Sequence, residues 1–201
     1  MLSATFVGSL GALGTTGVMD AGPLTRVCVL ATAAAFRGPD AAIDEVLNLG
    51  VWGGAAVSGV AAIDRRSAND VAVLDVVNGA DLVVLTDGAV LHARSVWRGT
   101  ALGEALTRSR LVAVGSVGSV LGATMIDPRG GAPTTGMGLF DDVVLSVAAG
   151  AEQTTRTREL LGSRYTLVEL GARSVLHFDG SWHTRVSDDL VVTRGGRATS
   201  L

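Results

Sequence analysis

Residues 111–125 read Leu111-Val-Ala-Val-Gly-Ser-Val-Gly-Ser-Val-Leu-Gly-Ala-Thr-Met125, and the fold follows from this stretch. Leu111 to Gly115 is nearly continuous in apolar character, the pattern of a strand covered on both faces in a parallel sheet. The small residues from Gly115 to Ser119 predict a tight turn, with a helix beginning near Val117 behind it. Such a turn projects a side chain from the sheet edge. The amino end of the following helix offers backbone N–H groups to an anion. Close packing of a helix on a sheet also selects small residues here, so the turn does not by itself define chemistry.

Outward from this segment the same alternation repeats. Arg26–Thr32, Ala55–Ala61 and Asp81–Thr86 are runs rich in β-branched residues and read as further strands covered on both faces. Asp40–Leu49 has helical spacing with Asp40 as its N-cap, Ala68–Val77 is a second helix, and His92–Arg110 a third, with Val96, Leu102 and Leu106 towards the core. Strand and helix in turn over some 125 residues predict a doubly wound, mostly parallel, flavodoxin-like α/β sheet. Tyr165–Leu170, Ser174–Phe178 and Asp189–Thr193 read as short strands separated by turns at Asp179-Gly180 and Gly195-Gly196. They predict an antiparallel tail on that sheet, within a single domain over 1–201.

Composition narrows the chemistry. The chain has 201 residues, 48% hydrophobic and 17% charged, with a formal net charge of −3. Mean hydropathy is +0.43, so a disordered chain is excluded, as is the basic footprint of a nucleic-acid or polybasic membrane binder. All 16 basic residues are arginine. The absence of lysine removes a phosphate-loop lysine, a Schiff-base lysine and every serine–lysine dyad. One cysteine, Cys28, excludes an internal disulfide and a multi-cysteine zinc site. With His92, His177 and His183 as the only histidines and no HExxH pattern, no metal and no cofactor are expected. Met1–Ala21 is apolar but lacks the basic start of a secretory signal, and no apolar run reaches spanning length. The expected location is cytoplasmic.

Several side chains are candidates for chemistry. Ser119 and Ser116 carry hydroxyls in the turn. A residue in Ser119's place more often bonds its own turn, and Ser116 more often caps a helix or points into packing. His177, between Leu176 and Phe178, is placed by alternation on a solvated sheet face; His183 reads as a turn residue and His92 as the start of a helix. Asp141-Asp142 and Asp188-Asp189 read as solvated loop and turn carboxylates. Cys28 reads as inert core, and Trp97 as core or interface.

The order of these motifs resembles the cyanophycinase and dipeptidase E group of serine peptidases, whose fold is like that of class I glutamine amidotransferases. Phe6-Val-Gly-Ser9 stands where the group has its opening strand and glycine turn, and Val27 to Ala33 where it has its second strand. Ala80-Asp-Leu-Val-Val-Leu-Thr-Asp-Gly88 takes the place of a strand ending Gly-Gly-Asn or Gly-Gly-Asp. Trp97-Arg-Gly-Thr-Ala-Leu102, Asp127-Pro-Arg-Gly-Gly-Ala132 with Gly136-Met-Gly-Leu139, and Arg156-x-Arg158 before Leu160-Leu161 each resemble a motif of the group.

The departures bear on activity. The group's elbow reads Gly-Thr-Ser-Ala-Gly or Gly-Ser-Ser-Ala-Gly. Setting Gly115-Ser116 on its first two positions puts Val117 where the nucleophile belongs, with Gly118 and Ser119 following. The group's histidine falls between Leu139 and Glu152, and none occurs there. Its acidic pair aligns with Gly171-Ala172, and its Gly-Gly-Asn turn has become Asp87-Gly88-Ala89. Removing the nucleophile or base of such a unit costs about 10⁶-fold in rate. The expectation is a pseudoenzyme that binds a protein partner or a small molecule through a remnant pocket at Thr86, Asp87, Gly88 and Gly115–Ser119.

Two other readings stand beside it. One is an active serine hydrolase using Ser119, or Ser116, with an unaligned base such as His177 or His183. The other is a nucleotide- or flavin-binding flavodoxin-like domain, for which Gly8-Ser-Leu-Gly-Ala-Leu-Gly14 lacks the dinucleotide spacing. The low charge and high apolar fraction predict a homo-oligomer or a protein partner, with no nucleic acid and no membrane insertion.

Overall fold

Short β-branched runs set the sheet, and their alternation sets its two faces. The computed structural model describes residues 3–15, 23–147 and 151–201. Part of Met1–Ala21, and part of the interval from Leu139 to Glu152, lie outside the described residues. In chain order the strands are β1 (Ser3–Val7), β2 (Arg26–Leu30), β3 (Ala56–Val60), β4 (Leu82–Leu85), β5 (Arg110–Val114), β6 (Thr124–Ile126), β7 (Pro133–Thr135), β8 (Val143–Val147), β9 (Thr166–Leu170), β10 (Val175–Phe178), β11 (Trp182–Val186), β12 (Leu190–Arg194) and β13 (Arg197–Ala198). The helices are α1 (Leu10–Thr15), α2 (Pro39–Leu47), α3 (Val71–Asn78), α4 (Val90–Trp97), α5 (Ala101–Leu106) and α6 (Ala151–Leu161).

The central sheet has the order β11-β10-β1-β5-β4-β2-β3. From β1 to β3 all neighbours are parallel, and β10 and β11 add antiparallel strands at the other edge. This is the mostly parallel α/β sheet with antiparallel C-terminal strands expected from the sequence. Successive residues of β4 serve opposite faces, as a pleated strand requires. Leu82 and Val84 join Ala42, Ile43 and Val46 of α2. Val83 and Leu85 join Trp97, Leu102 and Leu106 on the other side. Trp97 is wholly buried, its indole N–H donating to Thr32 Oγ1 at 3.1 Å. No helix of the described residues is long and apolar enough to cross a membrane.

The C-terminal strands divide between two sheets, where the sequence predicts one tail. β10 and β11 extend the central sheet, whereas β9, β12 and β13 join β8 in a second sheet of order β13-β12-β9-β8, in which β8 and β9 are parallel. The cause is the Val143–Val147 run, a strand within the interval where the sequence has no histidine. It gives β9 a partner of its own.

Other boundaries move for local reasons. The single helix expected over His92–Arg110 is two helices, because Gly99 takes the left-handed conformation (φ +68) that stops α4. Thr100 then caps α5, its hydroxyl accepting from the Gly103 N–H at 3.3 Å. Asp40 is not an N-cap: Gly38 holds that place and Pro39 opens α2, with Asp40 in the first turn. The helix expected from Ala68 starts at Val71, capped by Asp70, whose carboxylate accepts from the Ala72 N–H at 2.9 Å. β3, expected to be covered on both faces, is the sheet's edge and is largely exposed. His183, expected in a turn, lies on β11 directly opposite His177.

Candidate functional site

The parallel strands all end at one edge of the sheet, the edge where ligands of open α/β folds bind. β4 runs out through Thr86 to Asp87 and Gly88, and beside it β5 turns at Gly115. After Gly115 the chain does not form the expected α-helix. Gly115–Leu121 is a 3-10 helix, and Gly122 is already extended. The reason lies downstream: the carbonyls of Val120, Leu121 and Gly122 accept from the N–H groups of Met137, Leu139 and Gly138 at 2.8, 2.8 and 3.1 Å. Carbonyls engaged by a neighbouring segment in this way leave no α-helix to propagate.

The bend itself belongs to Gly115, with φ +66. Val117, aligned by motif with the nucleophile, is fully buried and packs into the core with Val120 and Leu121. Gly118 lies against Phe6, whose ring a Cβ would meet at 2.8 Å. A Cβ built on Gly115 would lie 2.4 Å from Asp87 Cγ and 2.6 and 2.7 Å from its carboxylate oxygens. The space above the bend is therefore filled by a carboxylate.

That carboxylate is held in place. Asp87 Oδ1 accepts from the backbone N–H groups of Gly88 (2.8 Å) and Ser116 (2.9 Å), and from the Ser116 hydroxyl at 2.6 Å. Ser116 Oγ also reaches the Gly88 carbonyl at 3.2 Å. Ser116 thus neither packs inward nor caps; it ties the β4 loop to the β5 turn. Ser119 is buried and donates to the Ser116 carbonyl at 2.8 Å, the self-turn bond that its position suggests.

In front of these residues lies a cavity of about 340 Å³. Gly88, Ser116 and Ser119 line one side, and Ile126, Ser146 and Gln153 the other. Sequence reasoning missed this second group. The run Val143-Val-Leu-Ser-Val147 carried a strand signal, but nothing local says that its Ser146 lines the same cavity as Ser119. No charged side chain lines the cavity among the described residues, so it suits an uncharged polar ligand presenting donors and acceptors to hydroxyls and one amide. Thr86 does not belong to this cavity. Its side chain points to the α2 face of the sheet.

The histidines lie elsewhere. His177 and His183 face each other on β10 and β11, ring centroids 6.3 Å apart. His177 Nδ1 is 2.9 Å from Thr5 Oγ1, in the middle of β1. His177 is half-buried where a solvated face was expected, and burial pushes its pKa down, opposed by Asp179. The cause is the adjoining β1, whose Thr5 covers the ring. His92 is 2.8 Å through Nε2 from the Ile63 carbonyl. None of the three makes a hydrogen bond to Ser116 or Ser119. Asp189 holds the turn after β9, accepting from the Arg173 N–H and the Ser174 hydroxyl. No group of three or more His, Cys, Asp or Glu among the described residues is placed to hold a metal ion.

A mostly parallel sheet with a sharp turn after its fifth strand, a second small sheet beside that turn and antiparallel closing strands define a peptidase E-like α/β fold. The structure is similar to that of a peptidase from an acI-B1 actinobacterium, with a TM-score of 0.69 and 15% identity over 99% of this chain and 96% of that one. It is also similar to a Listeria monocytogenes EGD-e protein assigned to peptidase E, with a TM-score of 0.65 and 11% identity over 96% of this chain and 98% of that one. No protein-family model matches the sequence. A search of curated proteins finds no match.

Proposed function

We propose that the chain keeps a peptidase E-like scaffold without its hydrolytic chemistry and acts by binding a small uncharged ligand or a protein partner at the strand ends. The observation that carries this reading is the pairing of Gly115 with Asp87. The elbow residue has no side chain, and the space one would need holds a carboxylate. Support also comes from the hydroxyls in the turn. Ser116 and Ser119 donate to Asp87 and to a carbonyl, and no imidazole accepts from either. A serine without a base to take its proton is a weak nucleophile.

The test is direct. Purified protein is exposed to a fluorophosphonate probe and to aspartyl dipeptides, and neither labelling nor turnover is expected. The competing reading is an active hydrolase using Ser119, favoured by that residue's place on the cavity wall. Labelling or turnover that disappears in Ser119→Ala would establish it and remove ours. Self-association belongs to the same proposal. The low charged fraction, 17%, and the 48% hydrophobic content support a protein-covered face. Sedimentation at micromolar concentration is expected to give a species larger than the monomer, and a clean monomer would count against it.

A further inference from the structure

A second cavity, of about 180 Å³, opens on the other face of the sheet at the same strand ends. It lies between the loop after β1, the end of β5 and helix α2, and is lined among others by Ser9, Arg37, Glu45, Val46, Thr86 and Val114. Thr86 is only 2% exposed, yet its Oγ1 has no hydrogen-bond partner among the described residues. Alternation along β4 places Thr86 on the side of Leu82 and Val84, the α2 side, where it lines the cavity. A buried hydroxyl left unpaired costs about 1–3 kcal/mol, a penalty that a ligand removes by bonding to it.

Three charged residues line the cavity: Asp87, whose carboxylate is held by Ser116, and the opposite charges Arg37 and Glu45. Arg37 Nη1 donates to Glu45 Oε2 at 3.1 Å, and its Nε reaches the Asp87 carbonyl at 3.4 Å. Among the described residues, Arg37 Nη2 and Glu45 Oε1 take part in neither bond. Both side chains are near half-exposed, so the pair itself contributes little to stability. A cation and an anion held side by side over a small polar cavity complement a ligand carrying both charges on neighbouring atoms. At roughly 30 Å³ for each water-sized group, the cavity has room for about six such groups. That is the size of a small amino acid.

We infer that this cavity is a binding site for a small free α-amino acid, one carboxylate oxygen on Arg37, the other on the Thr86 hydroxyl and its ammonium on Glu45. The site uses none of the cavity wall at Ser116 and Ser119 and does not depend on the chain being inactive as a hydrolase.

The test is thermal denaturation and calorimetry of the full chain with glycine, L-alanine and L-serine at about 10 mM, against acetate, methylamine and glycinamide at the same concentration. At least one of the three amino acids is expected to bind and to raise the melting temperature. The three single-charge probes, glycinamide among them as the mimic of a peptide amino terminus, are expected not to. Thr86→Val keeps the shape and removes the hydroxyl. Without ligand it is expected to melt at or above the wild-type temperature, and with ligand to lose about tenfold in affinity. Arg37→Gln, at an exposed position, is expected to lose binding without a change in fold. Absence of binding by all three amino acids overturns the inference. So does equal binding of glycinamide, or an affinity unchanged in Thr86→Val.

Discussion

The carboxylate of Asp87 occupies the volume that a side chain on Gly115 would need, with Asp87 Cγ 2.4 Å from the Cβ position. The two residues lie at the ends of adjacent parallel strands. Each is explained by the other: a glycine at the bend admits the carboxylate, and the carboxylate accepts from the Ser116 N–H and hydroxyl that follow the bend.

Gly115→Ser is therefore expected to destabilise the protein without creating activity. The left-handed backbone alone costs a non-glycine residue about 1–2 kcal/mol, and the overlap with Asp87 adds to it. Urea denaturation should show a lowered midpoint. Combining it with Asp87→Gly should give less loss than the sum of the two single changes, the coupling expected of residues in contact.

Acid should weaken the fold through Asp81. Its carboxylate accepts from the Thr25 hydroxyl and from the Arg26 and Thr25 N–H groups, which hold its pKa down at about 2 against an ordinary value of 3.8. A pKa depressed in the folded state gives stability that is complete above the ordinary value and is lost as pH falls through the folded one. Denaturation midpoints should drop between about pH 4 and pH 2, and Asp81→Asn should flatten that part of the profile.

Arg158 on α6 grips Glu169 on β9 through two parallel bonds, Nε to Oε1 at 2.8 Å and Nη2 to Oε2 at 2.9 Å. Glu169 is only 20% exposed, so Arg158→Met leaves a half-buried carboxylate unpaired. The expected loss is about 1 kcal/mol. Arg158→Lys should recover part of it, because an ammonium lacks the fork geometry. Chemical denaturation of the three proteins checks the order.

Cys28 is fully buried in β2, and burial pushes its thiol up to about 12. Thiolate is the reactive form, so alkylation by iodoacetamide at neutral pH should be negligible in the native protein and complete in denaturant. Rapid native labelling would show that β2 opens locally.

Much of the architecture is legible in local sequence. Val27 to Leu30, Leu82 to Leu85 and Leu111 to Val114 are strands because β-branched and aliphatic runs of this length suit a sheet buried on both faces. Cys28 is core because it lies in an apolar run, and Trp97, flanked by Arg94 and Arg98, is core through helical spacing with Ala93 and Val90. The helix break at Gly99-Thr100 was written in the sequence as a stop followed by a cap, but helical spacing runs across it from Val96 to Leu102 and masks the signal.

What the chain could not announce locally is who meets whom. Motif alignment sets Val117 at the elbow, whereas backbone dihedrals give the bend to Gly115, two residues earlier, where β5 has already ended at Val114. The helix expected behind the bend is suppressed by hydrogen bonds from residues 137–139, a choice made by chain far away. Ser146 sharing a cavity with Ser119, Thr5 bonding to His177 and Thr86 lining a different cavity are all outcomes of strand order and register. Periodicity is a property of a few residues in a row, and so a sequence carries it. The site arises where five distant segments end together, and only the folded sheet fixes their distances.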